Sequence, residues 1–434
     1  MKKALAILCA VGLLVLTAST LYAGGIINKN NQSADYLRTL NRAAATDLAD
    51  IAVYNPAGIA QMDNGLYTKL DVMYFAKDYS NTVPGGAFPS FDQDFGKLDQ
   101  DESSTIPGFF TIYKQDRWAG FFAFTIPAGG GELDYKNGSA RTVQLADGLV
   151  QRLEFLGTIP PGVYDRLSSQ TEQVKDSQAY GFTLGGTYAV NEQWSLALGL
   201  RYTYSEREFE GQAVIESSTV PPAFAPPINP QIGIYEDDDG WAGIFGVNYA
   251  PAKNFNLAAT LITKTEIEYE REVKKDNLGI AAGLGFADGS KIQDDIPGQL
   301  SLGASYEFFI PLKVDINYVR YFERSATIET FEDEGDSWDL GITAEYTFTP
   351  QWKASLGYLY TDIDLPDDQQ IQQPEEPKLD ANSIAGGVVW SPTEKWAITL
   401  AGALIMYEDV TDSLGINYDK DVWNLSAGVQ YKWF

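Results

Sequence analysis

From Gly65 onward the chain is written in period two, and that constrains its fold more than any other feature. Trp194, Leu196, Leu198, Leu200, Tyr202 and Tyr204 alternate with Ser195, Ala197, Gly199, Arg201 and Thr203. Trp338–Phe348 and Leu425–Trp433 repeat the pattern. Successive side chains of a strand point to opposite faces, so each segment has one oily and one wet face. A soluble β-sandwich alternates too, so the connections decide. Every second one is tight, as at Gln115–Arg117, Val190–Gln193, Thr349–Gln351 and Ser391–Lys395, and those between are long and acidic. Short turns on one rim and long loops on the other are the layout of an outer-membrane barrel. The alternation predicts an all-β transmembrane antiparallel barrel of about fourteen strands over 65–434. An even count puts both ends at the periplasmic rim.

Composition then removes whole classes of function. The chain has no histidine, which excludes Ser-His-Asp and Cys-His catalysis and imidazole metal sites. Its one cysteine, Cys9, lies in the apolar run of a basic-then-apolar leader, and small residues before Gly24 predict cleavage near Ala23. Residues 1–23 therefore read as a signal peptide, and the mature chain as thiol-free. The formal charge of -28 repels phosphate backbones, so nucleic acid is no partner. Aromatics make up 13% of so acidic a chain, enough to furnish girdles at both membrane interfaces. No enzyme and no cofactor is expected.

Residues 24–64 do not alternate. Ser33 to Leu40 reads as about two helical turns, with Ser33 as N-cap and Tyr36, Leu37 and Leu40 on one face. Next, Asn55-Pro56-Ala57-Gly58 reads as a fixed turn: Pro56 drives Asn55 from the helical region, and Gly58 is free to take positive φ. The tract Arg38-Thr39-Leu40-Asn41-Arg42-Ala43-Ala44-Ala45-Thr46-Asp47, then Ala49 to Ala60 containing Asn-Pro-Ala, resembles the N-terminal hatch of the FadL/TodX family of outer-membrane transporters for hydrophobic compounds. The resemblance implies a hatch filling the barrel lumen and gated at Asn55, Pro56, Ala57 and Gly58. It also implies passive uptake of long-chain fatty acids or hydrocarbons. At Asn28–Gln32 the chain departs from the Gly-rich start common in the family.

The third strand, read as Trp118–Ile126, runs into Pro127-Ala128-Gly129-Gly130-Gly131. Proline removes a ladder donor and glycine loosens pairing, so the strand either ends here or bends from the wall. The resemblance implies that Pro127, Gly129 and Gly130 make a kink through which a ligand leaves sideways. Leu145, Leu149, Val150, Leu153 and Leu156 stand at helical spacing in one long loop, and Val220–Ile228 is a proline-rich apolar loop containing Phe224. A groove between the two, with Leu149, Leu153 and Phe224, is the candidate for first capture. For a carboxylate ligand the candidate bases are Arg38, Arg42 and Arg201, which could equally pair with Glu345, Glu307 or Asp339. The acidic runs Glu236–Asp239, Glu332–Glu334 and Asp367–Asp368 lack calcium-loop spacing and read as solvated charge, with no metal site. Expected partners are the hydrophobic ligand, outer-membrane lipid and lipopolysaccharide, and the barrel-assembly machinery that reads a terminal aromatic. A narrow general porin and a structural or adhesive barrel are the alternatives. A plug leaves little lumen for the first, and acidic loops would serve the second.

Overall fold

A computed structural model describes residues 33–329 and 334–434. The leader at 1–23 with Cys9, the tract Asn28–Gln32, and Glu332 and Asp333 lie outside the described residues. In chain order the strands are β1 (Gly65–Val83), β2 (Gly96–Gln100), β3 (Ser103–Gln115), β4 (Trp118–Tyr135), β5 (Arg166–Ala189), β6 (Trp194–Glu216), β7 (Gln231–Ala252), β8 (Phe255–Ile262) and β9 (Glu268–Asp276). There follow β10 (Lys291–Gln293), β11 (Gly298–Glu307), β12 (Leu312–Phe322), β13 (Trp338–Thr349), β14 (Trp352–Asp362), β15 (Ala381–Thr393), β16 (Trp396–Tyr407), β17 (Val410–Thr411) and β18 (Asn417–Lys432).

These strands form one antiparallel sheet that closes on itself, since β1 pairs with β18 from Tyr67↔Lys432 to Thr82↔Asn417. The sheet has eighteen strands, not about fourteen. Four of them (β2, β9, β10 and β17) are short additions on the long-loop side, where β2 pairs with β1, β9 with β7, β10 with β9, and β17 with β18. The other strands make the circuit of the wall. Alternation reveals only the stretch in which one face meets lipid. Beyond it both faces are wet or covered by loops, and the period-two signal fades.

The band is plain in the burial pattern. On β6, Leu196, Leu198 and Leu200 are exposed on the outside, Leu198 to 63%, while Ser195 and Ala197 are buried on the inside. Aromatic pairs mark both edges. On the short-turn side Trp118 packs on Tyr188, Trp194 on Tyr249, Trp352 on Trp390 and Trp396 on Tyr431. On the long-loop side Tyr202 packs on Trp241, and Trp338 on Tyr318 and Tyr360. From Trp352 to Tyr360 on β14 the wall rises roughly 20 Å, at about 3.3 Å per residue and a tilt of about 40°. That matches an outer-membrane hydrocarbon layer. No helix among the described residues is long and apolar enough to cross a membrane, which bears only on helices.

Inside the wall stand the helix Ala34–Thr39, the single turn Ile51–Tyr54 and the 3-10 turn Pro56–Gln61. Ser33 caps the first, its Oγ accepting from Tyr36 N at 2.8 Å, and Leu40 ends it at φ 52°. The long loop after β4 carries the helix Ala140–Phe155, capped by Ser139.

Candidate functional site: the hatch, the cavity above it and the kinked strand

The hatch is tied to the wall around its circumference. Ser355 Oγ on β14 donates to Arg38 O at 2.8 Å, Asn256 Nδ2 on β8 to Ala44 O at 2.9 Å, and Ser195 Oγ on β6 to Ala57 O at 2.8 Å. Thr187 Oγ1 on β5 donates to Pro56 O at 2.7 Å, and Ala49 N donates to Gln430 Oε1 on β18 at 2.7 Å. Buried charge adds to this. Arg38 pairs with Asp35 at 2.7 Å and with Glu345 of the wall, and Asp35 meets Lys69 of β1 at 3.1 Å. Arg42 lies 2.8 Å from both Asp47 and Asp50, and Lys353 of β14 is 3.1 Å from Asp47. Arg38 and Arg42 are thus structural ion pairs. Of the alternative partners, Glu345 takes Arg38, Asp339 accepts from Tyr321 and Thr361, and Glu307 is exposed.

Asn55 has φ -142° and ψ 68°, outside the helical region. Its Nδ2 donates to Ala45 O and to Asn248 Oδ1 of β7, both at 2.9 Å, and its Oδ1 accepts from Gly58 N at 3.2 Å. Gly58 does not take positive φ as expected; it continues the 3-10 turn. It is glycine for space, because a Cβ there would lie 2.4 Å from Asn55 Nδ2 and 2.8 Å from Ala45 O.

Above the hatch helix lies a cavity of about 190 Å³. Tyr36, Leu37 and Leu40 form its floor, Met73 and Phe75 of β1, Leu359 and Ile405 its apolar sides, and Gly129 of β4 one edge. Lys420, Lys378, Glu376 and Tyr407 supply polar groups. Lys378 Nζ pairs with Glu334 at 2.6 Å. Lys420 is only 3% exposed; its Nζ sits 4.7 and 4.8 Å from the ring centres of Tyr79 and Tyr407 and 3.4 Å from Pro377 O. Among the described residues no carboxylate lies within 4 Å of its Nζ, and the one that attracts it is Glu376 of the same cavity. Arg201 faces inward from β6, also without an ion pair among the described residues, and its Nε is buried without a partner. It does not line the cavity. Lys420 shares the inward phase of Asn424 and Ser426, but it stands beyond Trp423, where the clear alternation begins.

The third wall strand does not end at Ile126. It continues to Tyr135 as β4, slipping register against β5 between Thr125 and Ala128, Ala128 and Gly131, and Gly131 and Leu133. The ladder between β3 and β4 runs from Gln115↔Trp118 to Phe109↔Phe124 and stops. Above it, among the described pairings, Thr105 to Gly108 of β3 have no ladder partner on β4. Pro107 sits in that unpaired stretch, as a proline at a strand edge should. The strands meet again at Gly131, where a Cβ would lie 2.4 Å from Ser104 Oγ. Gly129 has φ 108° and a Cβ would lie 2.4 Å from Ser177 O, so only glycine fits this path. Pro127 packs against Gly181 of β5, and Gly130 lies within the same slipped stretch of β4.

The outer loops pack on one another. Leu149 is buried beneath the loop helix, Leu153 is half-buried against the same cluster, and Val220 and Ile228 join it. Phe224 projects, 84% exposed, as do Phe155 and Leu156 at the end of the loop helix. The expected groove between helix and proline-rich loop is replaced by a small one between Leu145 and Leu149 of the helix and Phe209, Ile232, Ile280 and Leu284. The acidic run at Glu236 is not solvated loop: it belongs to β7, and Glu236 is buried between Arg207 and Arg271 at 2.6 and 2.5 Å. Among the described residues no group of three or more acidic, histidine or cysteine side chains is set to hold a metal ion.

Comparison with known proteins agrees with this architecture. A FadL homologue of Pseudomonas aeruginosa superposes with TM-score 0.68 at 15% identity, covering 95% of this chain and 100% of that one. The Pseudomonas putida toluene transporter TodX gives TM-score 0.59 at 14% identity, with coverage of 94% and 99%. The Ralstonia pickettii toluene transporter TbuX gives 0.58 at 16% identity, with coverage of 96% and 100%. No curated protein sequence matches the chain. The sequence model of the outer membrane protein transport family (OMPP1/FadL/TodX) matches residues 163–414, more than half the chain. The wall, the plug and this match together make the chain a member of that family of outer-membrane transport barrels.

Proposed function

We propose that this barrel takes up hydrophobic molecules bearing an acidic head, long-chain fatty acids being the simplest class, and releases them sideways into the outer membrane. One observation carries the route. The cavity rests on a hatch bonded to the wall all round, and its edge is Gly129, where β4 has parted from β3. Moving the hatch would break buried ion pairs, each break leaving a charge unpaired at a cost of about 3–5 kcal/mol. Passing between β3 and β4 opposite Thr105–Gly108 breaks no ladder bond among the described residues. In this reading Asn55, Pro56, Ala57 and Gly58 hold a fixed floor that turns the ligand aside, and Pro127, Gly129 and Gly130 shape the exit. The groove at Leu145 and Leu149 is where an apolar molecule first lands, and Phe224 offers a second exposed apolar contact on the same rim.

Lys420 and Arg201 support an acidic head. Both face inward without a described carboxylate partner, and burying a base that way suits a ligand that brings the anion. Two relatives in fold are toluene transporters, so a neutral aromatic ligand is the competing reading. Equilibrium binding of oleate and of toluene to the purified barrel separates them. Lys420→Met should weaken oleate by roughly tenfold or more, the worth of a charge-assisted hydrogen bond, and leave toluene unchanged. Toluene binding with no oleate binding would remove the acid reading.

A further inference from the structure

The connection between β14 and β15 does not stay on the rim. From Gln373 to Leu379 the sequence Gln-Pro-Glu-Glu-Pro-Lys-Leu is buried at every residue, without helix or strand. Pro374 and Pro377 remove two donors, and Gln373–Glu376 closes as a turn, Glu376 N donating to Gln373 O at 3.2 Å. The segment hangs from the wall by its carbonyls. Asn81 Nδ2 of β1 donates to Pro374 O at 2.7 Å, Tyr135 Oη of β4 to Glu375 O at 2.8 Å, and Lys420 Nζ of β18 to Pro377 O at 3.4 Å. Glu376, Lys378 and Leu379 line the cavity opposite the hatch helix. The cavity therefore has the hatch as floor and this segment as roof.

The roof buries a carboxylate that it does not satisfy. Glu375 is 0% exposed, and neither of its carboxylate oxygens has a hydrogen-bond partner. On facing β5, Glu172 accepts from Ser139 and Thr142 with one oxygen and leaves the other unsatisfied. A buried polar group without a partner costs a few kcal/mol, and an ionised one more. The roof's C-terminal end is anchored at Lys378, by the pair with Glu334 and by Gln370 bonding the Lys378 N and O, while Pro374 to Glu376 hangs by carbonyl contacts alone and is opposed by that cost.

We infer that Gln373–Leu379 is a movable lid over the cavity, closed while Glu375 carries a proton and loosened when it gives that proton up. The inference rests on the uptake reading only for what passes beneath the lid. The groups facing Glu375 are Glu172 on β5, Arg141 on the loop helix, Tyr135 on β4, Tyr418 on β18 and its neighbour Glu376. Among these only Arg141 favours the charged form, helped by the backbone N–H of Glu375 itself. Burial first, and Glu172 second, push the Glu375 carboxyl well above the usual range. In an open lid it is solvated and titrates near 4.5. Closing therefore takes up a proton. Between the two values closure weakens by up to about tenfold per pH unit as pH rises, and above the higher one it changes no further.

The test needs no substrate. Leu37→Cys puts a single thiol in the cavity floor of the mature chain, and a membrane-impermeant sulfonated maleimide added outside reports lid opening. Its labelling rate, divided by that in the Leu37→Cys, Glu375→Gln protein at the same pH, cancels the titration of the thiol itself. The ratio should rise at least tenfold between pH 5 and 8. Asn81→Cys with Pro374→Cys, oxidised, should slow labelling at every pH, and reduction should restore it. A flat ratio, or labelling indifferent to the disulfide, would overturn the lid. Oleate uptake by the same proteins separates the two ideas. A lid that opens on cue in a barrel that never transports oleate keeps the lid and discards the substrate reading.

Discussion

Asn55 shows how much of the hatch rests on one side chain. Its amide and carbonyl hold Ala45, Asn248 and Gly58 together, so a short polar side chain before proline is the only economical choice. Asn55→Ala should leave the wall assembled, since no ladder bond involves it. The hatch should lose about 1–3 kcal/mol for each buried partner left unsatisfied. Protease cleavage near Arg38 and Arg42 under mild urea should quicken while heat-modifiable gel migration persists; unchanged cleavage would show that the Asn55 contacts contribute nothing. The hatch helix, its cap and the escape of Asn55 from helical backbone were legible in sequence because each rests on neighbours in the chain. The fate of Arg38 and Arg42 was not, because their partners lie across the barrel, and sequence offers equal claims to a ligand and to Glu345. Lys420 escaped notice for another reason: it stands just past the girdle, where alternation no longer tells inside from outside.

At the scale of elements, membrane-crossing strands announce themselves and their extensions do not. Within the band one face must be apolar, so Trp194–Tyr204 and Trp338–Phe348 read directly. Past the band β5, β6 and β7 keep their ladders but shed the pattern, and the short added strands pair there unseen. The kink was half legible. Pro127 and the glycines said that pairing must fail, and only the register says that β4 carries on beyond it. The loop helix offers a test of its own. Ser139 accepts from Arg141 N and donates to Glu172, so Ser139→Ala should cost the helix about 1 kcal/mol and leave Glu172 with Thr142 as its side-chain donor. Amide exchange over residues 140–155 should speed up with the wall strands unchanged; equal speeding in the wall would mean that the loop helix does not fold as a separate unit.

The whole molecule is a cylinder closed at the base by a bonded plug and parted at one seam. Short turns on one rim make a directional claim: cysteines at Gln193 and Gln351 should escape an impermeant thiol reagent in intact cells, and reaction of either from outside would invert the topology. Sideways release turns on the seam. Pro127→Val with Gly129→Thr and Gly130→Thr restores a ladder donor and β-propensity, and a threonine at Gly129 cannot sit 2.4 Å from Ser177 O unless the strand straightens. The decisive measurement is oleate uptake beside equilibrium oleate binding, for this variant and the parent, in the same outer-membrane vesicles. Binding should persist while uptake falls by at least tenfold. Undiminished uptake through a straightened, fully inserted strand would contradict sideways release and send the ligand down through the hatch.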